Sequence, residues 1–251
     1  MIGKINIALV SYSNTLPFLY GIQKDENLMN RVNLRLEYPS KCADLLKSGV
    51  VDVSLVPVIE IPDVPNSQII GDYCIGSDGK VNTVMLYSDC PIHEIQSIAL
   101  DYQSRTSIML VKILAKHYWG IDVRYEDTTE GYIDLISGTK AGVVIGDRTF
   151  DLNDQYAYSY DLSEEWKKFT GLPFVFACWV ATIPLDDAFT RQFNTALKVG
   201  LDQKKKAVDE FSNSESNRMN LRAYLNESIS YTFDDDKKEA LKKYLALADD
   251  L

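Results

Sequence analysis

The sequence predicts an α/β fold in two lobes with a helical C-terminal portion. Three patterns carry that reading. Two successive blocks alternate short apolar runs with helical periodicity, a long apolar run returns over residues 174–182, and helical periodicity fills the chain from Asp186 onward. Such an order predicts that the chain passes between lobes twice, near Tyr87 and Ser88 and again over residues 179–181. One lobe is then residues 1–87 with 181–251, and the other residues 88–180.

Residues 5–10 are an apolar run with one polar break, as in a buried parallel strand. A polar turn, Ser11 to Thr15, precedes Leu16 and Pro17, and Pro17 suits the first turn of a helix. Residues 32–37 alternate as a strand with one wet face, residues 40–49 read as a helix ended by Gly49, and residues 51–56 as a strand stopped by Pro57. Residues 72–75 and 81–87 are strand candidates around a Gly-Ser-Asp-Gly turn. The second block follows: strand 97–100, an amphipathic helix over 104–118, strand 122–125, a helix over 129–137 and strand 141–145. Asp234, Asp235 and Asp236 read as a helix start, with acids matching the dipole.

Composition excludes several functions. A net charge of -10 argues against nucleic acid as the main partner, since phosphate-backbone binding rests on clustered Lys and Arg. An anionic ligand remains allowed if the positive potential is local. The first ten residues hold one Lys and lack a secretory h-region, so the expectation is a cytoplasmic protein with reduced cysteines. No stretch approaches the roughly 20 apolar residues of a membrane span. Cys42, Cys74, Cys90 and Cys178 are too scattered for a zinc or redox spacing, and His93 and His117 form no metal-ligand pattern. Phosphate-loop, dinucleotide and nucleophile-elbow motifs are absent, so neither metal nor cofactor is expected.

In open α/β sheets ligands sit beyond the carboxyl ends of strands, against helix N-termini. That rule selects four segments. Ser11, Tyr12, Ser13, Asn14 and Thr15 follow the first strand and are either a ligand site or an ordinary capped helix start. Residues 101–107, from Asp101 through Ser104, Arg105, Thr106 and Ser107, directly follow a strand and open a helix. They form either a carboxylate cradle with Arg105 as a forked donor, or a plain N-cap with Arg105 in solvent. Asn82 and Thr83 interrupt a strand-forming run, facing either solvent or a cleft. Gly146 and Asp147 end a strand, where Asp147 either orients a ligand hydroxyl or caps.

The motifs, taken in order, resemble the chorismate dehydratases of menaquinone biosynthesis by the futalosine route. The likeness is carried by residues 10–18, 39–43, 49–58, 74–76, 79–88, 100–107 and 171–177. The resemblance implies a type II periplasmic-binding-protein fold with its ligand cleft between the lobes. It also implies loss of water from chorismate, a dianion, to give 3-[(1-carboxyvinyl)oxy]benzoate. By residue match, Asn14 and Thr83 are the inner hydrogen-bonding pair, and Ser104, Thr106 and Ser107 bind a substrate carboxylate. Where the family pattern carries Ser, this chain has Thr83, which keeps the hydroxyl and adds a methyl.

Rival readings are a later cyclase of the same route sharing the fold, a non-catalytic protein that binds small anions, and an effector-sensing domain of a transcription factor. The absence of a signal-like N-terminus weighs against an exported receptor, and the chain carries no DNA-binding segment. The sequence says nothing about oligomeric state.

Overall fold

The computed structural model describes residues 4–152, 155–212 and 215–251. Its elements, in chain order, begin with β1 (Ile5–Val10), α1 (Leu16–Lys24), α2 (Glu26–Arg31), β2 (Val32–Glu37), α3 (Pro39–Lys47), β3 (Val53–Pro57) and β4 (Gln68–Ser77). Next come β5 (Val84–Ser88), β6 (Ser97–Leu100), α4 (Arg105–Leu114), β7 (Arg124–Asp127), β8 (Lys140–Ile145), β9 (Tyr158–Asp161), α5 (Leu162–Thr170) and β10 (Phe174–Ala181). The remainder is α6 (Asp187–Asp202), α7 (Lys204–Phe211), α8 (Glu215–Glu227), β11 (Ser230–Thr232) and α9 (Asp235–Asp249). No helix among the described residues is long and apolar enough to cross a membrane.

The chain divides into two compact units, Met1–Ile75 with Ala177–Asp234, and Gly76–Phe176 with Asp235–Leu251. These units differ from the sequence-based lobes, which divide at 87/88 and 180/181, and include a third division at 234/235. The reason is topological. β5 pairs antiparallel with both β8 and β9, so residues before position 88 already belong to the second unit's sheet. The first two divisions fall within β4 and β10, the first of them at Gly76 where the Gly-Ser-Asp-Gly run begins, and the third falls between β11 and α9. The final helix, α9, belongs to the second unit, because Tyr244 is buried against Trp166 and Phe174, edge to face at 6.2 and 5.2 Å.

Among the described residues the first sheet has the strand order β11-β4-β10-β3-β1-β2. β1 runs parallel to β2 and β3, while β10 returns antiparallel along β3. Residues 7–10 of β1 are all buried, which explains their continuous apolar sequence, for helices cover parallel strands on both faces. Phe18 on α1 packs on Trp179 of β10 with centroids 5.9 Å apart, and Trp179 meets Phe193 of α6 edge to face at 4.9 Å. The main chains of Gly21 in α1 and Gly200 in α6 meet where these helices cross. A Cβ on either glycine would overlap the other helix's backbone.

The second sheet has the order β7-β6-β8-β5-β9, with β6 parallel to β7 and β8. Two further expectations are corrected. Residues 129–137 are not a helix: Gly131 takes φ 86°, only a 3₁₀ turn over Tyr132–Leu135 forms, and Tyr132 is tied down by its hydroxyl's bonds to Asp101 and Val143. The tail is not all helical, since β11 pairs at the edge of the first sheet. The predicted long helix from Ser104 is α4 followed by a π-helical turn, Ala115–Trp119, which Gly120 ends at φ 64°.

Candidate functional site

Each unit carries one polar cluster where the carboxyl-end rule places it. In the first unit, the ladder of β1 continues to Ser11, whose N–H donates to Glu37 O at 2.9 Å. A 3₁₀ turn, Ser13–Thr15, then leads into α1. Thr15 is buried, and its hydroxyl lies 2.6 Å from Val10 O and 2.8 Å from Tyr12 O. Its role is inside the turn. Ser11 is exposed, whereas Tyr12, Ser13 and Asn14 are half-buried.

Asn14 is held at its backbone. The buried Tyr231 hydroxyl donates to Asn14 O at 2.8 Å, and the Tyr231 ring stands edge to face on Phe18 at 5.4 Å. Burial pushes the Tyr231 phenol well above its ordinary range, so it stays a neutral donor. The Asn14 side chain is different: its Oδ1 is buried and has no hydrogen-bond partner among the described residues. Leaving a buried acceptor unmatched costs about 1–3 kcal/mol, a cost that a ligand hydroxyl or amide removes. The buried Trp179 Nε1 is likewise unpartnered, but it lies in the helix-covered core between Phe18 and Phe193. Asn14 instead sits on the turn after a strand.

In the second unit, strand directions gather the remaining candidates. Val84 pairs with Ile145 and Met85 with Asp161, while β6 and β8 run parallel. The start of β5, the ends of β6 and β8 and the end of β9 therefore share one end of the sheet. Asn82, Thr83, Ser104, Arg105, Thr106, Ser107, Gly146 and Asp147 all lie there.

Asn82 holds φ at 62°, a left-handed conformation that Asn tolerates better than most residues. Thr83 is 2% exposed, and its carbonyl accepts from Gly146 N at 2.8 Å, with Gly146 itself at φ 69°. Ser104 is a true N-cap. Its Oγ accepts from Ser107 N at 3.2 Å and also donates to Ser107 Oγ at 2.8 Å. Thr106 donates to Phe176 O at 3.3 Å, and its own carbonyl accepts from the Tyr244 hydroxyl at 2.9 Å. Much of the Ser104–Ser107 hydrogen bonding thus builds the helix start itself. Arg105 and Asp147 are half-buried.

Two acids to which the sequence reading assigned no role organise this end. Asp101 is fully buried and accepts from Gln103 N, Tyr132 Oη and Ile145 N at 2.9 Å each, and from Arg148 Nη2 at 2.6 Å. Burial and the Asp101 charge push the Tyr132 phenol well above its ordinary range. The Arg148 guanidinium also lies over the Tyr102 ring, 5.7 Å from its centroid. Asp161 caps α5 through Oδ1 and receives Val81 N and Asn82 N on Oδ2 at 2.9 and 2.7 Å. Sequence held one clue to Asp101, an aspartate directly after a strand and two residues before the N–H it accepts, the pattern of an Asx turn. Nothing local marks Arg148 as its partner. Among the described residues no group of three or more His, Cys, Asp or Glu is placed to hold a metal ion.

These features define a class first. Protein AF1704 from Archaeoglobus fulgidus superposes with a TM-score of 0.77 at 14% identity, covering 98% of this chain and 97% of that one. A Candida albicans protein, CA3427, described as having the generic periplasmic binding protein fold, gives 0.64 at 13% identity over 100% and 91% of the two chains. The fold is therefore α/β and periplasmic-binding-protein-like, as the motif resemblance implied. A family model described as menaquinone biosynthesis matches residues 5–250, and the chain belongs to that family. A chorismate dehydratase from Thermus thermophilus is 26% identical over 250 residues, covering 86% of this chain and 88% of that protein.

Proposed function

We propose that this protein is a chorismate dehydratase, a carbon–oxygen lyase of the cytoplasm that forms 3-[(1-carboxyvinyl)oxy]benzoate. Family membership and the dehydratase relative support the pathway and reaction class. The observation that carries a site is the buried, unmatched Oδ1 of Asn14 on the turn after β1.

The chemistry asks little of strong acids or bases. A proton leaves the ring carbon bearing the enolpyruvyl ether, the neighbouring hydroxyl departs, and the ring becomes aromatic. In this reading Asn14 accepts from the substrate hydroxyl through Oδ1 and, with the Thr83 hydroxyl, donates to charge developing in the transition state. Ser104, Thr106 and Ser107, at the start of α4, receive a substrate carboxylate, with Arg105 and Asp147 beside them as polar contacts. A carboxylate of the substrate takes the proton. The dianion's charge is matched locally, against a protein whose net charge is -10.

The test is to incubate purified protein with chorismate, without metal or cofactor, and follow products by chromatography and mass. Loss of one water supports the reading. Tight binding without conversion favours an anion-binding protein, a use suggested by similarity in fold to the ligand-binding component of an import system from Staphylococcus aureus (TM-score 0.68, 13% identity). Neither binding nor conversion favours the later cyclase. Asn14→Ala is expected to lower kcat roughly 100-fold or more, the scale of a lost oxyanion-type donor. Full activity in that variant removes Asn14 from the mechanism.

A further inference from the structure

Asp161 makes four hydrogen bonds with its two carboxylate oxygens, and they divide cleanly between two tasks. Oδ1 accepts from Ser163 N at 3.0 Å and Glu164 N at 3.1 Å, which caps α5. Oδ2 points away from the helix and accepts from Val81 N at 2.9 Å and Asn82 N at 2.7 Å. A helix cap needs only the first pair. The second pair crosses about 80 residues of sequence to grip the turn that precedes Thr83.

That turn needs holding. Asn82 lies at φ 62°, outside the usual range for a residue with a side chain. Its carbonyl accepts from Thr149 Oγ1 at 3.2 Å, and the next carbonyl, of Thr83, accepts from Gly146 N at 2.8 Å. The Asn82 and Thr83 carbonyls are thus tied to the segment after β8, the Val81 carbonyl accepts from the Thr83 hydroxyl at 3.5 Å, and the Val81 and Asn82 N–H groups both go to one carboxylate. Asp161 is only 4% exposed. Burial raises its pKa while the four N–H groups oppose that rise. A buried carboxylate directed at two adjacent N–H groups fixes the direction in which Thr83 leaves the turn.

We propose that Asp161 is a positioning residue for Thr83, acting through the Val81–Asn82 N–H pair and separately from its capping of α5. The proposal rests on Thr83 acting in the dehydration. Asp161 does not contact substrate. It holds the strained turn so that the Thr83 hydroxyl is already placed before the transition state forms.

The experiment is a double-mutant cycle on the full-length protein with chorismate as substrate. Asp161→Asn keeps the size and one oxygen for the α5 cap but turns an NH₂ toward two N–H donors. Thr83→Val removes the hydroxyl at nearly constant shape. Asp161→Ser is the second variant, a good helix cap too short to reach the turn, and serves if Asn prevents folding. With Thr83 present, either substitution is expected to lower kcat at least about tenfold, with KM within roughly threefold. In the Thr83→Val background the same substitution is expected to change kcat by less than about twofold, because the group it positions is gone.

Equal losses of kcat in both backgrounds overturn the proposal and leave Asp161 a structural cap. Unchanged kcat with Thr83 present overturns it as well. A wild-type protein that leaves chorismate intact overturns the dehydratase reading instead, and the positioning role of Asp161 falls with it. An active wild type without coupling overturns only the positioning role.

Discussion

Tyr231 donates its hydroxyl to the main-chain carbonyl of Asn14 at 2.8 Å, across 217 residues of sequence. This bond ties a three-residue edge strand, β11, to the turn that carries the candidate catalytic amide. Tyr231→Phe keeps the ring on Phe18 and removes only the hydroxyl. The expected cost is about 0.5–1.5 kcal/mol, lowering the melting temperature by about 1–6 °C. Thermal unfolding followed by circular dichroism measures it, and an unchanged melting temperature shows that the bond contributes nothing.

The Asp101–Arg148 pair holds the loop after β6 to the segment after β8. Asp101 is fully buried while the Arg148 side chain is 28% exposed, so the pair is only partly shielded from water. Arg148→Met removes the closest of four donors, at 2.6 Å, and leaves the carboxylate to the other three. The expected destabilisation is about 2–3 kcal/mol, between a lost charged hydrogen bond and a broken buried pair. A urea midpoint within error of wild type counts against this estimate.

Glycine in a helix interior ordinarily costs up to about 1 kcal/mol relative to alanine, so Gly→Ala usually stabilises. Gly200→Ala has the opposite expected sign. Its new Cβ would overlap the carbonyl of Pro17 and approach Gly21 N, both backbone atoms that cannot swing aside. Equilibrium unfolding is expected to show a loss of about 1–3 kcal/mol, the range for overpacking. Exposed helix positions such as Thr195, in the same helix, provide the control.

All four cysteines are buried. Burial pushes the Cys42 thiol up to about 12 and the Cys178 thiol well above its ordinary value. At pH 8 a thiol of that kind is thiolate in roughly one molecule in ten thousand, and only the thiolate alkylates readily. Mass spectrometry after brief iodoacetamide treatment is expected to find Cys42 and Cys178 unmodified in native protein and modified in guanidinium. The least buried thiol, Cys90 at 9% exposure, is expected to react first. Fast native labelling of Cys42 contradicts this burial.

The sequence was most legible where one residue pattern runs the length of an element, as in the alternating strand at residues 32–37, which matches β2 at both ends. The strands at residues 5–10 and 97–100 match β1 and β6 at both ends, each marked by a buried apolar run that follows one polar residue, Asn6 or Ser97. β9 was missed because its burial is uneven, with two exposed residues before the buried Asp161. β11 was missed because an edge strand of three residues leaves no period to read. The polar turns around Asn14, Thr83 and Ser104 stood out locally. Their supports did not. Tyr231 lies 217 residues from Asn14, Asp161 about 80 from Val81, and Arg148 47 from Asp101, separations that no residue spacing encodes. The first two unit boundaries were illegible for a related reason, since they lie within β4 and β10.

The crossing back to the second unit at α9 has a consequence for how the protein is made. Tyr244 of α9 caps the carbonyl of Thr106 from 138 residues away and packs on Trp166 and Phe174. On the ribosome, the start of α4 therefore waits for α9, which emerges only after the first unit's returning segment, Ala177–Asp234, has been synthesised. The polar cluster around Ser104 would then be among the last parts of the molecule to set. A nascent chain stalled before Tyr244 would leave aromatic surface for a chaperone to cover.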